Sequence, residues 1–242
     1  MSPASERRPR PRVGVIHAAL AAVPVVESAF RAQFPEAVVR VTVDDSLILD
    51  VPDDGLIPRE LARRLERLID FVVSGGVDGL LVACSSYPDV VDGFVARTRP
   101  AVPILKADEA LFAELADRRF TRVGILLTFA GAVRPTRTSL ELAYAARALP
   151  APGIEIRCLA EAGALLADGQ AAPAHQLLAD AAWQLRRDGA QAVALGQYSL
   201  AGAAPIIESR TALPVFAGST WSAIAMRRLL LGEDAVPAAR TG

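Results

Sequence analysis

The sequence predicts an α/β architecture of two similar halves, each a mostly parallel sheet wrapped by helices. Three observations carry that reading: short apolar runs spaced along the whole chain, helical stretches between them, and the return of the first set of runs roughly 110 residues later. The runs at 12–18, 38–44, 79–84 and 102–107 form the first set, and those at 122–128, 154–160, 192–197 and 213–218 the second. They are continuous rather than alternating, as expected of parallel strands covered on both faces. Helical stretches lie between them. Residues 58–74 open with Pro58 in the first turn and stop near Gly75-Gly76, 136–148 stop before Pro150, and 172–188 stop at Gly189.

The repeat sets the organisation. RVGVIHA from Arg12 returns as RVGILLT from Arg122, and GGVDGLLVACSS returns as DGAQAVALGQYS. That register matches Gly76 with Gly189 and Cys84 with Gln197, while Pro103-Ile104-Leu105 matches Pro214-Val215-Phe216. The expected division is a disordered tail over 1–11, a first Rossmann-like or flavodoxin-like half over 12–107 plus about 218–242, and a second half over 108–217. The C-terminal helix, about 219–231, is expected to pack back on the first half. One continuous doubly wound sheet is the alternative.

Composition narrows the function. With 242 residues, 52% apolar and 22% charged, the chain can build a substantial core. A formal charge of −1 offers no electrostatic case for nucleic acid or an anionic membrane surface. Two distant cysteines make neither a disulfide framework nor a zinc spacing, and the expected compartment is the reducing cytoplasm. Arg7, Arg8, Arg10 and Arg12 before the apolar run Val13–Val26 mimic a secretory leader, but His17 and Pro24 interrupt that run and Glu27 follows it. No GxGxxG or P-loop pattern occurs, so no nucleotide is expected, and neither a GxSxG elbow nor an HExxH metal motif is present. A homo-oligomer remains an option.

In open parallel sheets, ligands bind beyond the carboxyl ends of the strands. Two such halves face to face place His17, Cys84-Ser85-Ser86, Thr128 and Gln197-Tyr198-Ser199 around one cleft. Cys84 ends an apolar strand and leads through Ser85, Ser86, Tyr87 and Pro88 into a helix. There a helix dipole is expected to lower the thiol pKa and suit it to proton transfer; the alternative is a buried structural cysteine. Cys158 reads as structural. His17 reads either as a base or carboxylate binder, or as a histidine hydrogen-bonded near a loop. Asp44 and Asp45 read as turn or gating residues, with Asp45 a weaker site candidate, and Lys106 stays open. Asp108 reads as an N-cap and Glu109 as a first-turn acid, both structural. Ser85, Ser86, Thr128, Ser199 and Thr220 are hydroxyls at strand-to-helix junctions, suited to cradling a substrate carboxylate.

Together these segments resemble a known family. Val13-Gly14-Val15-Ile16-His17, Asp44-Asp45-Ser46-Leu47 and Asp78-Gly79-Leu80-Leu81-Val82-Ala83-Cys84-Ser85-Ser86 carry the first part of the likeness. Pro103 to Ala110, Gly124 to Phe129 and Gln197-Tyr198-Ser199-Leu200 carry the rest. From Val13 to about Leu230 the chain resembles the aspartate/glutamate racemase superfamily, which also holds hydantoin racemases, maleate isomerases and arylmalonate decarboxylases. The resemblance implies two pseudo-symmetric halves, a small carboxylate substrate, and paired cysteines on opposite faces of its α-carbon, without pyridoxal phosphate or metal. This chain departs from the pattern: Cys84 holds the first cysteine position, but Gln197 holds the second, and an amide has no useful proton to exchange. The leading reading is a racemase or epimerase that moves a proton at the carbon next to a carboxylate, with His17, Asp44, Asp45 or Lys106 as candidates for the opposite face; the alternative is a decarboxylase, for which one thiol suffices. A binding protein for small acids that lost catalysis is a third reading. The scarcity of Lys and Arg around the expected cleft points to an acid with an apolar side.

Overall fold

The computed structural model describes residues 10–232. The tail expected over 1–11 falls almost wholly outside the described residues, as does everything after 232. Two separate four-stranded parallel sheets form, not one continuous sheet. The first contains β1 (Arg12–His17), β2 (Val38–Val43), β3 (Gly79–Ala83) and β4 (Ile104–Lys106), in the order β2-β1-β3-β4. The second contains β5 (Arg122–Leu127), β6 (Gly153–Cys158), β7 (Ala192–Leu195) and β8 (Val215–Ala217), in the order β6-β5-β7-β8. The orders are identical, so the sequence repeat is a structural one.

Ten α-helices complete the described chain. Five belong to its first part: α1 (Val23–Gln33), α2 (Ser46–Leu49), α3 (Arg59–Ser74), α4 (Pro88–Thr98) and α5 (Glu109–Asp117). The others are α6 (Val133–Ala145), α7 (Ala160–Ala167), α8 (Ala171–Arg187), α9 (Ala204–Thr211) and α10 (Gly218–Leu231). None is long and apolar enough to cross a membrane. α3 and α8 end alike: Gly76 (φ +74) and Gly189 (φ +93) take left-handed conformations just past each helix. A side chain there would meet Arg12 in one half and Arg122 in the other.

Strand parity sorts the core. On the first sheet, Val13, Val15 and Leu81 pack against α1 and α10, while Ile16, Leu80 and Val82 pack against α3 and α4. On the second, Val123 and Ile125 meet α5 and α6, while Leu126 and Val193 meet α8 and α9. The helix after each fourth strand therefore crosses over: α5 covers the second sheet, and α10, through Ala223 and Met226, covers the first.

Two differences from expectation have simple causes. β4 and β8 are shorter than the runs suggest because Pro103 and Pro214 precede them. Neither proline has an N–H to give, yet their carbonyls accept from Leu80 and Val193. β2 and β6 are edge strands and are not covered on both faces: Val38, Val41 and Val43 are exposed. For the same reason Cys158 is an exposed free thiol rather than a buried structural one.

Candidate active site

β3 and β7 deliver the two walls of a cleft between the halves. Past Ala83 the chain turns through Cys84, Ser85 and Ser86, and past Leu195 it turns through Gly196 and Gln197 into a 3-10 segment, Tyr198–Ala203. The walls touch where Ser85 Oγ donates to the Gly196 carbonyl at 3.0 Å. Beside that bond is a cavity of about 60 Å³, lined by Cys84, Ser85 and Ser86 on one side and by Gln197, Tyr198 and Ser199 on the other. Ala18, Ala19, Ala22, Ile48, Ala83, Phe129 and Ala132 complete it, and no charged side chain among the described residues lines it. This is far below the roughly 300–1,000 Å³ of an ordinary ligand pocket, so the cleft is nearly shut.

Cys84 is partly exposed on this wall, but its proton is held tightly. Burial raises the thiol to about 11; donors from Ser86 offset this in part, and the Asp108 carboxyl adds to it. The lowering expected from a helix N-terminus does not occur. α4 begins only at Pro88, so the turn Ser85–Tyr87 separates the sulfur from the helix's free N–H groups. At neutral pH the sulfur carries its proton.

Gln197 faces the cleft in a defined orientation. Its Oε1 accepts from the Thr128 backbone N–H at 2.6 Å and from Thr128 Oγ1 at 2.9 Å, which leaves the amide NH₂ as its free donor. Thr128 thus orients Gln197 and does not line the cavity. Tyr198 does more than line the wall. Its hydroxyl lies buried in the first half, donating to the Ala107 carbonyl at 2.6 Å and sharing a hydrogen bond with Ser222 Oγ on α10. This is an anchor, not the substrate-binding hydroxyl expected. Tyr198→Phe leaves those buried partners short of one bond, and thermal denaturation should show a loss of about 1–3 kcal/mol.

The remaining candidates lie elsewhere. His17 is fully buried at the end of β1, the strand between β2 and β3, with neither ring nitrogen hydrogen-bonded among the described residues. Burial lowers its pKa to about 4, so it is neutral and out of reach of a substrate in the cleft. Asp45 is exposed at the start of α2, away from the cavity. Asp44 is clamped by Arg64, with Nη2 to Oδ1 at 2.9 Å. Lys106 Nζ is held by both carboxylate oxygens of Asp92, at 2.7 and 2.8 Å, and faces a different cavity. No base proposed for the face opposite Cys84 reaches the cleft.

The model of one protein family, Asp/Glu/hydantoin racemase, matches residues 13–226. The chain belongs to that family. Solved structures agree in fold. Glutamate racemase from Francisella tularensis subsp. tularensis SCHU S4, in complex with D-glutamate, superposes with a TM-score of 0.72 at 13% identity, covering 96% of this chain and 86% of that one. Allantoin racemase from Klebsiella pneumoniae gives 0.60 at 22% identity, over 90% of this chain and 87% of that one. A double mutant of arylmalonate decarboxylase in its liganded form gives 0.60 at 16% identity, over 92% and 94%. Comparison with the sequences of curated proteins found no match.

In this racemase-family chain, one acid expected to be structural lies at the site. Asp108 stands at the N-cap of α5 as expected but makes no capping hydrogen bond. It is 6% exposed, and its Oδ1 has no partner among the described residues. Burial pushes the carboxyl up to about 7, with the neighbouring Ser85 hydroxyl offsetting part of the shift. An Asp before a helix looks the same in sequence whether it caps or not, so no local signal marks this one.

Proposed function

We propose that the protein is a cofactor-independent enzyme that protonates a carbanion next to a substrate carboxylate, from one face, with Cys84 as the acid. One observation carries the reading: among the described residues, Cys84 is the only titratable side chain in the cleft not already committed elsewhere, since the hydroxyl of Tyr198 is spent inside the first half. A thiol that keeps its proton at neutral pH is ready to donate and poorly placed to abstract. Loss of CO₂ from a bound acid leaves an electron pair on the α-carbon, and one donor then completes the reaction. The uncharged, mostly apolar lining disfavours a carboxylate left without a partner and so promotes its departure. Ser86, Ser199 and the Gln197 amide supply donors for the enediolate and for a carboxylate that stays. The expected substrate is a small acid with an apolar substituent at the α-carbon.

Racemisation or epimerisation is the second reading, and the family match favours it. It needs a proton carrier on the Gln197 side, which no side chain among the described residues provides, so a water would have to serve. Incubation with 2-substituted malonates and with apolar α-amino and α-hydroxy acids in deuterated water separates the two. The decarboxylase reading expects CO₂ release and a single deuterium in product; racemisation instead washes deuterium into the α-position of recovered substrate. Ligand-dependent thermal stabilisation with neither outcome would leave only a binding protein.

A further inference from the structure

On the other side of the Cys84–Ser85 turn lies a second cavity, of about 370 Å³, within the range of ordinary ligand and solvent pockets. Cys84, Ser85 and Asp108 share its wall, and the exposed side chains of Asp89, Asp92 and Glu109 form its rim, so it communicates with solvent. The thiol therefore stands between two spaces, the narrow cleft and this roomier one.

We propose that Asp108 is a positioning residue for the proton on Cys84, keeping the thiol protonated and reloading it from solvent through this second cavity. The proposal rests on the reading of Cys84 as a proton donor. Its geometric basis is a buried carboxyl with an unsatisfied oxygen, in the same wall as the sulfur and beside the serine that adjoins it. Ser85 Oγ lies against both the Gly196 carbonyl and the Asp108 carboxyl, and its single hydrogen serves one of them at a time, so it can pass a proton on without neutralising the carboxyl.

The surrounding charges leave Asp108 to act alone. Lys106 is held by Asp92, and Arg147, which reaches the same cavity from the end of α6, is held by Asp117. Asp89 and Glu109 are at the exposed rim. Tyr87 and Tyr198 approach from α4 and from the second half, and burial keeps both phenols protonated. No cation among the described residues pairs with the Asp108 carboxyl.

The proton accounting is complete. The S–H bond of Cys84 breaks as its proton passes to the substrate carbon, leaving a thiolate. The O–H bond of Asp108 then breaks and its proton passes to sulfur, along Ser85 or a water. A carboxyl near 7 gives its proton to a thiolate whose acid is near 11 with a favourable difference of several pKa units. The carboxylate then recovers a proton from solvent at the cavity rim, which matches the one proton that decarboxylation consumes.

The test uses the full chain with Cys158→Ser, so that Cys84 is the only thiol, and follows iodoacetamide alkylation and thiolate absorbance against pH. Asp108→Asn should lower the Cys84 midpoint by about one unit and speed alkylation at mildly alkaline pH about tenfold. Asp108→Glu should restore the high midpoint. An unchanged Cys84 profile in a folded Asp108→Asn protein overturns the proposal. Should that variant not fold, infrared titration of the unsubstituted carboxyl decides: a protonated band lost near neutral pH and displaced by Cys84→Ser supports it, and a band lost only in acid overturns it. None of these readings needs a substrate, whereas failure of the donor role itself shows as turnover surviving Cys84→Ala.

Discussion

Cys84→Ala should remove turnover by about a thousandfold, within the range that one positioned general acid contributes. No other side chain among the described residues of the cleft can replace it: the facing wall offers the Gln197 amide, the Ser199 hydroxyl, Ala132, the Phe129 ring and Tyr198, whose hydroxyl is bonded inside the first half. Cys84→Ser should be almost as damaging, since an alkyl hydroxyl is a far weaker acid than a thiol. Substrate binding should survive both changes, because the proposed carboxylate donors, Ser86, Ser199 and Gln197, are untouched. The check is a pairing of kcat with ligand-induced thermal shift. If activity falls by less than tenfold while binding is retained, Cys84 is not the acid.

The second large effect concerns stability against pH. His17 and Asp108 are both buried and shifted in opposite senses. His17 has a folded pKa near 4 against 6.5 unfolded, so the unfolded chain binds the extra proton between those values and stability falls as pH drops. Asp108 has a folded pKa near 7 against 3.8 unfolded, so the folded chain binds the extra proton and stability falls as pH rises through that range. From about pH 4 to 6.5 the two slopes nearly cancel, and the protein's stability should be almost flat there. Asp108→Asn removes one of the two. Above about pH 7 it should stabilise the fold by up to about 4 kcal/mol, and it should expose the His17 slope, a loss of about 3 kcal/mol toward pH 4. His17→Leu should produce the opposite tilt. Urea unfolding across that pH range checks both, and a gain in Asp108→Asn that does not vary with pH would show that the carboxyl titrates normally.

Much of this molecule is written locally. The strands are legible because parallel strands flanked by helices are apolar without interruption, and the two halves are legible because Arg12, Gly76 and Pro103 return as Arg122, Gly189 and Pro214. Cys84 and Gln197 as facing residues follow from the same repeat. What is not legible depends on distant partners. His17 ends a strand like any loop-facing residue, but β1 has a neighbour on each side and helices on both faces, which encloses its ring. The Cys84 pKa depends on where α4 starts and on a carboxyl from the following strand–helix junction. Tyr198 meets Ser222 and Ala107 only because α10 returns to the first sheet, a crossing no nearby residue announces.

That tyrosine also bears on how a substrate gets in. Its ring belongs to the second half by chain position but is embedded among Leu105, Ala107, Ala223 and Met226 of the opposite body. Any widening of the nearly closed gap must turn about this embedded ring as a fulcrum, or else extract it at the cost of its buried bonds.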